Sequence, residues 1–435
     1  MTKLQLPGSV SRRTFLAAAA GAGAAFTLAA CGQPAEEASS NGVTTITVWY
    51  WDDSLKPVVA AFNKSQSKVK AVFQKMSWDD AHLKLITSLA AGSGAPDVAS
   101  LDFEYAGAFS VLGGLADLGK APFNGGDFEK DFVPYKWQQS ITSDGRLFAF
   151  PWDVAPAGLW YRSDIFEAAG LETDPDKLQA TVKEWDDWFQ LGEDLQAKVP
   201  ETNLMAHAYT DAFWPAVFQK GQTWFDENGK LVVAENCTPA LKRAAEARSR
   251  KLDANIKWWT SEWNVGVTRK NFATLNVACW EQSLLLGTNP KTVGQWRIIR
   301  APGGDYSWGG GFFAIPEQSE KKKAAWEFVK FAAATAEGQN TTMKAAGIFP
   351  AYKPAWKDPL YTNPVDFYGG QKAYQVWQDI ALNSPGYKVR PGYIETKQII
   401  ESYVSQLDKS GGDPAKLMKE AEDKIRSQVP SAKDA

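Results

Sequence analysis

The chemistry open to this chain is concentrated in the neighbours of its tryptophans. An indole stands directly before a carboxylate repeatedly, as in YWDD at 50–53, PWDV at 151–154 and CWEQ at 279–282. Two of these come after apolar stretches that read as strands, ITVWY at 46–50 and ATLNVA at 273–278. An indole covers a flat apolar face with large area at small entropic cost. A carboxylate accepts hydroxyl protons, while Arg and indole N–H groups donate to oxygens. Together they suit a ligand whose C–H faces are ringed by hydroxyls, as those of a sugar are. On this ground the candidates are Trp51, Asp52, Asp53, Trp152, Asp153, Trp280 and Glu281. Asp102 and Glu104 join them, because they close the third strand signal, DVASLD at 97–102. Ligands of open α/β sheets sit outside the carboxyl ends of the strands, so the first and third strand rims should share one cleft edge.

Each residue also has a plainer reading. Asp52 and Asp53 could cap the next helix, as could Ser54. Trp is usually buried structure, and Trp185, Trp188, Trp326 and Trp377 fall in helical patterns, so they and Trp49 are assigned to the core. KWWTSEW at 257–263 clusters Trp258, Trp259 and Trp263 without showing which way they face. A glycoside hydrolase would want a carboxylate pair, and Asp102, Glu104, Asp153 and Glu281 are available; none stands in a context that suggests a raised pKa. His82 and His207 lie in no metalloprotease or nucleophile-elbow motif, and with Cys237 and Cys279 they show no metal-ligand spacing. His82 is expected on a helix surface or at a polar contact. No metal or cofactor is expected. The formal charge of −3 without basic runs argues against nucleic acid.

The positioning elements are read from period and caps. In 54–63, Leu55, Val58, Val59 and Phe62 recur at helical spacing, with Pro57 in the first turn. VKAVFQ (69–74) is a second strand, and Ser77 with Asp80 resembles a capping box for a helix over 78–91. Strand–helix alternation of this kind predicts a parallel sheet with helices on both faces. A helix is predicted over 174–196, a Gly-rich turn and strand at 307–316, and a helix over 321–334. A last helix is capped by Asp413-Pro414. The first 30 residues carry Lys3, Arg12 and Arg13 and no acid, then an apolar run too short for the ~20 residues of a membrane span. SRRTFL (11–16) resembles a twin-arginine export signal, and LAACG (28–32) resembles a lipobox, which implies cleavage before Cys31 and lipid on its thiol. Residues 31–42 read as a polar, flexible tether. An exported location permits a Cys237–Cys279 disulfide; spacing alone does not decide it.

In order, ITVWYWDDSLKPVVAAFNKSQSKVKAVFQ, LITSLAAGSGAPDVASLD, GRLFAFPWDVAPAGLWYRSDIFEAAGL, WGGGFFAIPEQSEKKKAAWEFVKFAA and AAGIFPAY resemble the extracellular solute-binding proteins of ABC importers, in the sugar-binding branch that includes maltose-binding proteins. The resemblance implies an α/β, two-lobed periplasmic-binding-protein fold of type II, with the ligand cleft between lobes joined by hinge segments. Lobe one would be 43–152 with 310–347, and lobe two 153–309 with 348–435. It further places Trp214, Trp308, Arg390 and Tyr393 where such proteins contact ligand, and Trp280 where a strand-end indole stacks on sugar. It implies a monomeric, non-enzymatic lipoprotein on the extracytoplasmic face of the membrane. Such a protein captures a mono- or oligosaccharide and meets the transmembrane subunits of a permease. The same fold could instead take a polyamine, an amino acid or an iron chelate, and an adhesive lipoprotein would lack the cleft.

Overall fold

The computed structural model describes residues 42–433 apart from 222, 223, 227 and 388. The export and lipidation readings, Cys31 included, fall outside the described residues.

Strand β1 (Thr44–Tyr50) pairs in parallel with β2 (Val69–Lys75) and β3 (Val98–Asp102). Helix α1 (Lys56–Ser65) covers one face, where Val58, Val59 and Phe62 share a core with Ile46, Val48 and Tyr50. Trp49 points the other way, into a core with Leu85 of α2 (Trp78–Ala91) and Phe109 of α3 (Phe103–Leu112). Alternation along one strand thus demands apolar residues from both helix layers. Ser77 caps α2 by accepting from the Asp80 N–H at 3.1 Å, as its spacing predicts. Three residues compete for the cap before α1. Asp52, rather than Asp53 or Ser54, takes it: its carboxylate accepts the Ser54 N–H at 2.7 Å and caps the 3₁₀ turn Asp53–Leu55 that leads into the helix.

The sheet is not all parallel. Strand Gly311–Ala314 returns antiparallel beside β3, with Phe150–Pro151 on its far side. A second sheet runs in the order Tyr306–Ser307, Pro156–Arg162, Phe272–Ala278, Asn203–Met205, and Trp296–Arg300 also pairs with Pro156–Arg162. Three of its four pairings are antiparallel. The parallel pairs are β1 with β2 and β3, and Asn203–Met205 with Phe272–Ala278, in each case with helices between them along the chain. Strand Gly311–Ala314, which enters the first sheet from the second, runs antiparallel to its neighbours. Asp153–Val154 pairs antiparallel with Phe349–Pro350 in a small ribbon between the two sheets, and the Asp153 carboxylate accepts the Gly311 N–H at 2.6 Å. Three passages between the sheets are therefore held together at Asp153.

The helix predicted over 174–196 is two, Pro175–Thr181 and Trp185–Lys198. The Asp187 side chain accepts from the N–H groups of Lys183 and Glu184 at 3.0 and 2.8 Å, starting a new helix where the old one would continue. Trp49, Trp185, Trp188, Trp326 and Trp377 are all buried, as assigned. Cys237 and Cys279 are separate buried thiols, one in helix Val233–Ser249 and the other just past strand Phe272–Ala278, and form no disulfide.

Candidate functional site

The carboxyl ends of β1 and β3 lie side by side, and the residues just beyond each strand leave the sheet toward the same space. Trp51, Asp52 and Asp53 continue β1; Asp102 and Glu104 sit at the β3–α3 junction. Register puts Gly311 opposite Asp102, so the Gly309–Gly311 turn forms the floor between them. A cavity of ≈ 1160 Å³ opens there, just above the ~300–1,000 Å³ typical of small-molecule sites. On the first-sheet side it is lined by Trp51, Asp52, Asp53, Trp78, Asp102 and Glu104. The second-sheet side contributes Trp214, Trp258, Trp259 and Trp280, and the passages between contribute Asp153 and Trp308.

His82 organises the rim. Of the two places expected for it, helix surface or polar contact, it takes the second: it is fully buried and hydrogen-bonded through both ring nitrogens. Its Nε2 accepts the Asp102 N–H at 2.9 Å, which places the proton on Nδ1, 2.7 Å from the Trp78 carbonyl. The ring stacks on Tyr105 at a centroid distance of 4.1 Å, and Trp51 and Trp78 lean on it at 5.3 and 5.1 Å. Burial pushes its pKa down to about 4, so the ring is a neutral clamp on α2 that fixes the end of β3.

The floor carries buried charge. Lys136 is wholly buried; its ammonium lies 3.7 Å from the Phe312 ring centroid and has no hydrogen-bond partner among the described residues. Burial pushes its pKa down to about 7, against the attraction of Asp153 and Asp102. Burial likewise raises Asp153 to about 6, opposed by Lys136 and the Gly311 N–H, and raises Asp102. These raised carboxyls run against the sequence reading, which found no context for them; the burial comes from chain segments far apart in sequence. Across the cavity, Lys397 of helix Tyr393–Ser410 reaches Glu104 at 2.6 Å and also faces Glu401 at 3.9 Å.

Nine of the residues singled out by sequence line the cavity: Trp51, Asp52, Asp53, Asp102 and Glu104 on one side, Trp214 and Trp280 on the other, and Asp153 and Trp308 between. Four do not. Trp152 alternates with Asp153 along the chain, so when the carboxylate faces inward the indole faces the core, edge-on to Tyr50 at 5.3 Å. Glu281 opens helix Glu281–Thr288 with its side chain turned inward, fully buried. Tyr393 is buried between Phe103 and Trp224, and Arg390 donates to the Asp226 carbonyl at 3.3 Å. Trp78, Trp258, Trp259, His207 and Lys397 line the cavity unpredicted. For Trp78 a signal was present: the Ser77 cap sets it at the first position of a helix that starts where β2 ends. Among the described residues no group of three or more His, Cys, Asp or Glu side chains could hold a metal ion.

Comparison with known proteins agrees with this architecture. The family model described as bacterial extracellular solute-binding protein matches residues 49–339. The lactose-binding protein of Rhizobium radiobacter is 26% identical over 367 residues, covering 78% of this chain and 82% of that protein. Two solved structures share the fold. The sugar-binding protein MalE of Xanthomonas citri has a TM-score of 0.74 at 19% identity, covering 90% of this chain and 98% of that one. The ABC transporter associated binding protein of B. animalis subsp. lactis Bl-04, in complex with β-1,6-galactobiose, has a TM-score of 0.72 at 23% identity, covering 88% and 97%. Two sheets joined by three passages, with a cavity at the strand ends between them, are the two-lobed binding-protein fold, and the chain belongs to the family of bacterial extracellular solute-binding proteins.

Proposed function

We propose that this protein captures a mono- or oligosaccharide outside the cell and delivers it to the transmembrane subunits of an ABC permease, as a monomer held to the membrane by lipid on Cys31. The observation that carries the carbohydrate reading is the cavity lining, in which seven indoles alternate with carboxylates. Indole faces cover C–H faces, and Asp52, Asp102, Asp153 and Glu104 offer acceptors to hydroxyls. The relatives named for lactose and for β-1,6-galactobiose support the same class. In this reading 43–152 with 310–347 closes on 153–309 with 348–435, and the passages near Asp153, Gly311 and Phe349 act as the hinge. The ligand contacts are Trp51, Asp52, Asp53, Trp214, Trp280 and Trp308, with the acids above.

A thermal-shift series on the exported chain tests it, with mono-, di- and trisaccharides against polyamines and amino acids. A ligand at 100 times its Kd stabilises the folded state by ~2.7 kcal/mol, so the cognate sugar should raise the midpoint by several degrees. Shifts with polyamines or amino acids and none with sugars overturn the carbohydrate reading. Release of free sugar from a glycoside would replace it with hydrolysis at Asp102 and Asp153.

A further inference from the structure

KWWTSEW carries three indoles in seven residues, and the structure separates their roles. Trp263 is core, and Trp258 is buried with its N–H donated to Asp211 at 2.9 Å. Trp259 is different. Its backbone φ is +59°, the left-handed region that a bulky side chain rarely enters. Its side chain is 51% exposed, so burial does not compensate the strain; of the seven indoles around the cavity it alone is exposed. Its N–H donates to Glu281 Oε2 at 3.2 Å. Glu281 is fully buried, and its other oxygen has no hydrogen-bond partner among the described residues. A strained backbone and a costly buried acid are thus both used to hold one indole out of the core, at the edge of the cavity. Such strain collects at ligand sites and persists only where the surroundings hold it. Trp280 lies next to Trp259 at a centroid distance of 5.9 Å with the ring planes 47° apart. One flat sugar ring cannot lie against both faces; two linked rings can.

We propose that Trp259 is the outer of two successive stacking platforms, with Trp280 the inner, so that the site prefers ligands of at least two sugar rings, and that Glu281 is a positioning residue that sets the angle of the outer indole. This rests on the carbohydrate reading above.

Calorimetric titration of the exported chain with glucose, maltose and maltotriose, with galactose and lactose, and with arabinose and arabinotriose tests it. Trp259→Ala should weaken di- and trisaccharide binding about three- to tenfold, the range of an aromatic stacking contact, and monosaccharide binding less than about twofold. Glu281→Leu should shift the length preference in the same direction and change the near-ultraviolet circular dichroism of the Trp258–Trp259–Trp280 cluster. Glu281→Gln, which keeps an acceptor oxygen, should restore both. Trp259→Gly, which adopts positive φ without strain, should lose the length preference with no fall in the unfolding midpoint. Equal losses at every length, an unchanged length ratio, or a sharply lowered midpoint in Trp259→Gly each overturn the platform and leave the carbohydrate reading standing. Absence of binding to any carbohydrate by the wild type overturns both.

Discussion

Replacing Lys397 by Met probes the contact that bridges the cavity. The Glu104 side chain is 7% exposed and that of Lys397 24%, and the two come from helices far apart in sequence that pack against each other. Removing one partner of a buried ion pair costs ~3–5 kcal/mol, because the remaining charge stays buried alone. Here the lower end applies, for two reasons. Lys397 is a quarter exposed, and Glu104, already pushed upward by burial, can take up a proton at ~1.4 kcal/mol per pKa unit. If 43–152 and 348–435 part as proposed, Glu104 would meet water in the open form and nothing would be lost there. On that proposal the cost of about 3 kcal/mol would fall on the closed state, and at ~1.4 kcal/mol per tenfold the ligand affinity should drop ~100-fold. Met keeps the apolar stem that lies near Trp214, where the Lys397 ammonium is 5.7 Å from the ring centroid, so lost packing is a minor part. The assay is calorimetric titration with the sugar found by thermal shift, beside small-angle scattering of the ligand-bound form. Adding Glu104→Gln to Lys397→Met should recover most of the affinity, since a neutral amide costs less to bury. Wild-type affinity in Lys397→Met, or a double variant as weak as the single one, refutes the account.

Buried groups give two further outcomes. His82→Leu removes the acceptor of the Asp102 N–H and the donor to the Trp78 carbonyl; at ~1–3 kcal/mol for each stranded group, urea unfolding should show a loss of about 3 kcal/mol, and a loss below about 1 kcal/mol rejects the clamp. Glu281, raised by burial to about 8, binds its proton more tightly folded than unfolded, so between pH 4.5 and about 8 its contribution falls as pH rises. Glu281→Gln should therefore gain stability relative to wild type from pH 5 to pH 8, by up to ~1.4 kcal/mol per pH unit. A difference that stays flat with pH contradicts a buried, protonated Glu281.

Local signals read well where the physics is local. The strand β1, the Ser77 cap and the spacing of Val58, Val59 and Phe62 depend on neighbours within a few residues, and all three appear as the sequence implies. The reading was weakest where a face had to be chosen. PWDV and CWEQ each offered an indole and a carboxylate, and each divides the other way: Asp153 faces the cavity and Trp152 the core, whereas Trp280 faces the cavity and Glu281 the core. Nothing within four residues distinguishes them. The choice is set by the Gly311 N–H that Asp153 accepts, 158 residues along the chain, and by the Trp259 indole that Glu281 receives, 22 residues away.

By itself the sequence determined the family, the alternation of strands and helices, and the aromatic and acidic character of the strand ends, because residue type and short-range period carry these. It also marked WDD as a rim with a capping role. The structure assigned the cap to Asp52 through a local contact, and only tertiary structure set Asp53 against Lys75 of β2 at 3.2 Å. It alone buried His82 beneath Trp51 and brought Lys397 to Glu104 across 293 residues. The contacts of Asp53 with Lys75, His82 with Asp102 and Lys397 with Glu104 depend on where two distant segments come to rest, and no local pattern encodes that.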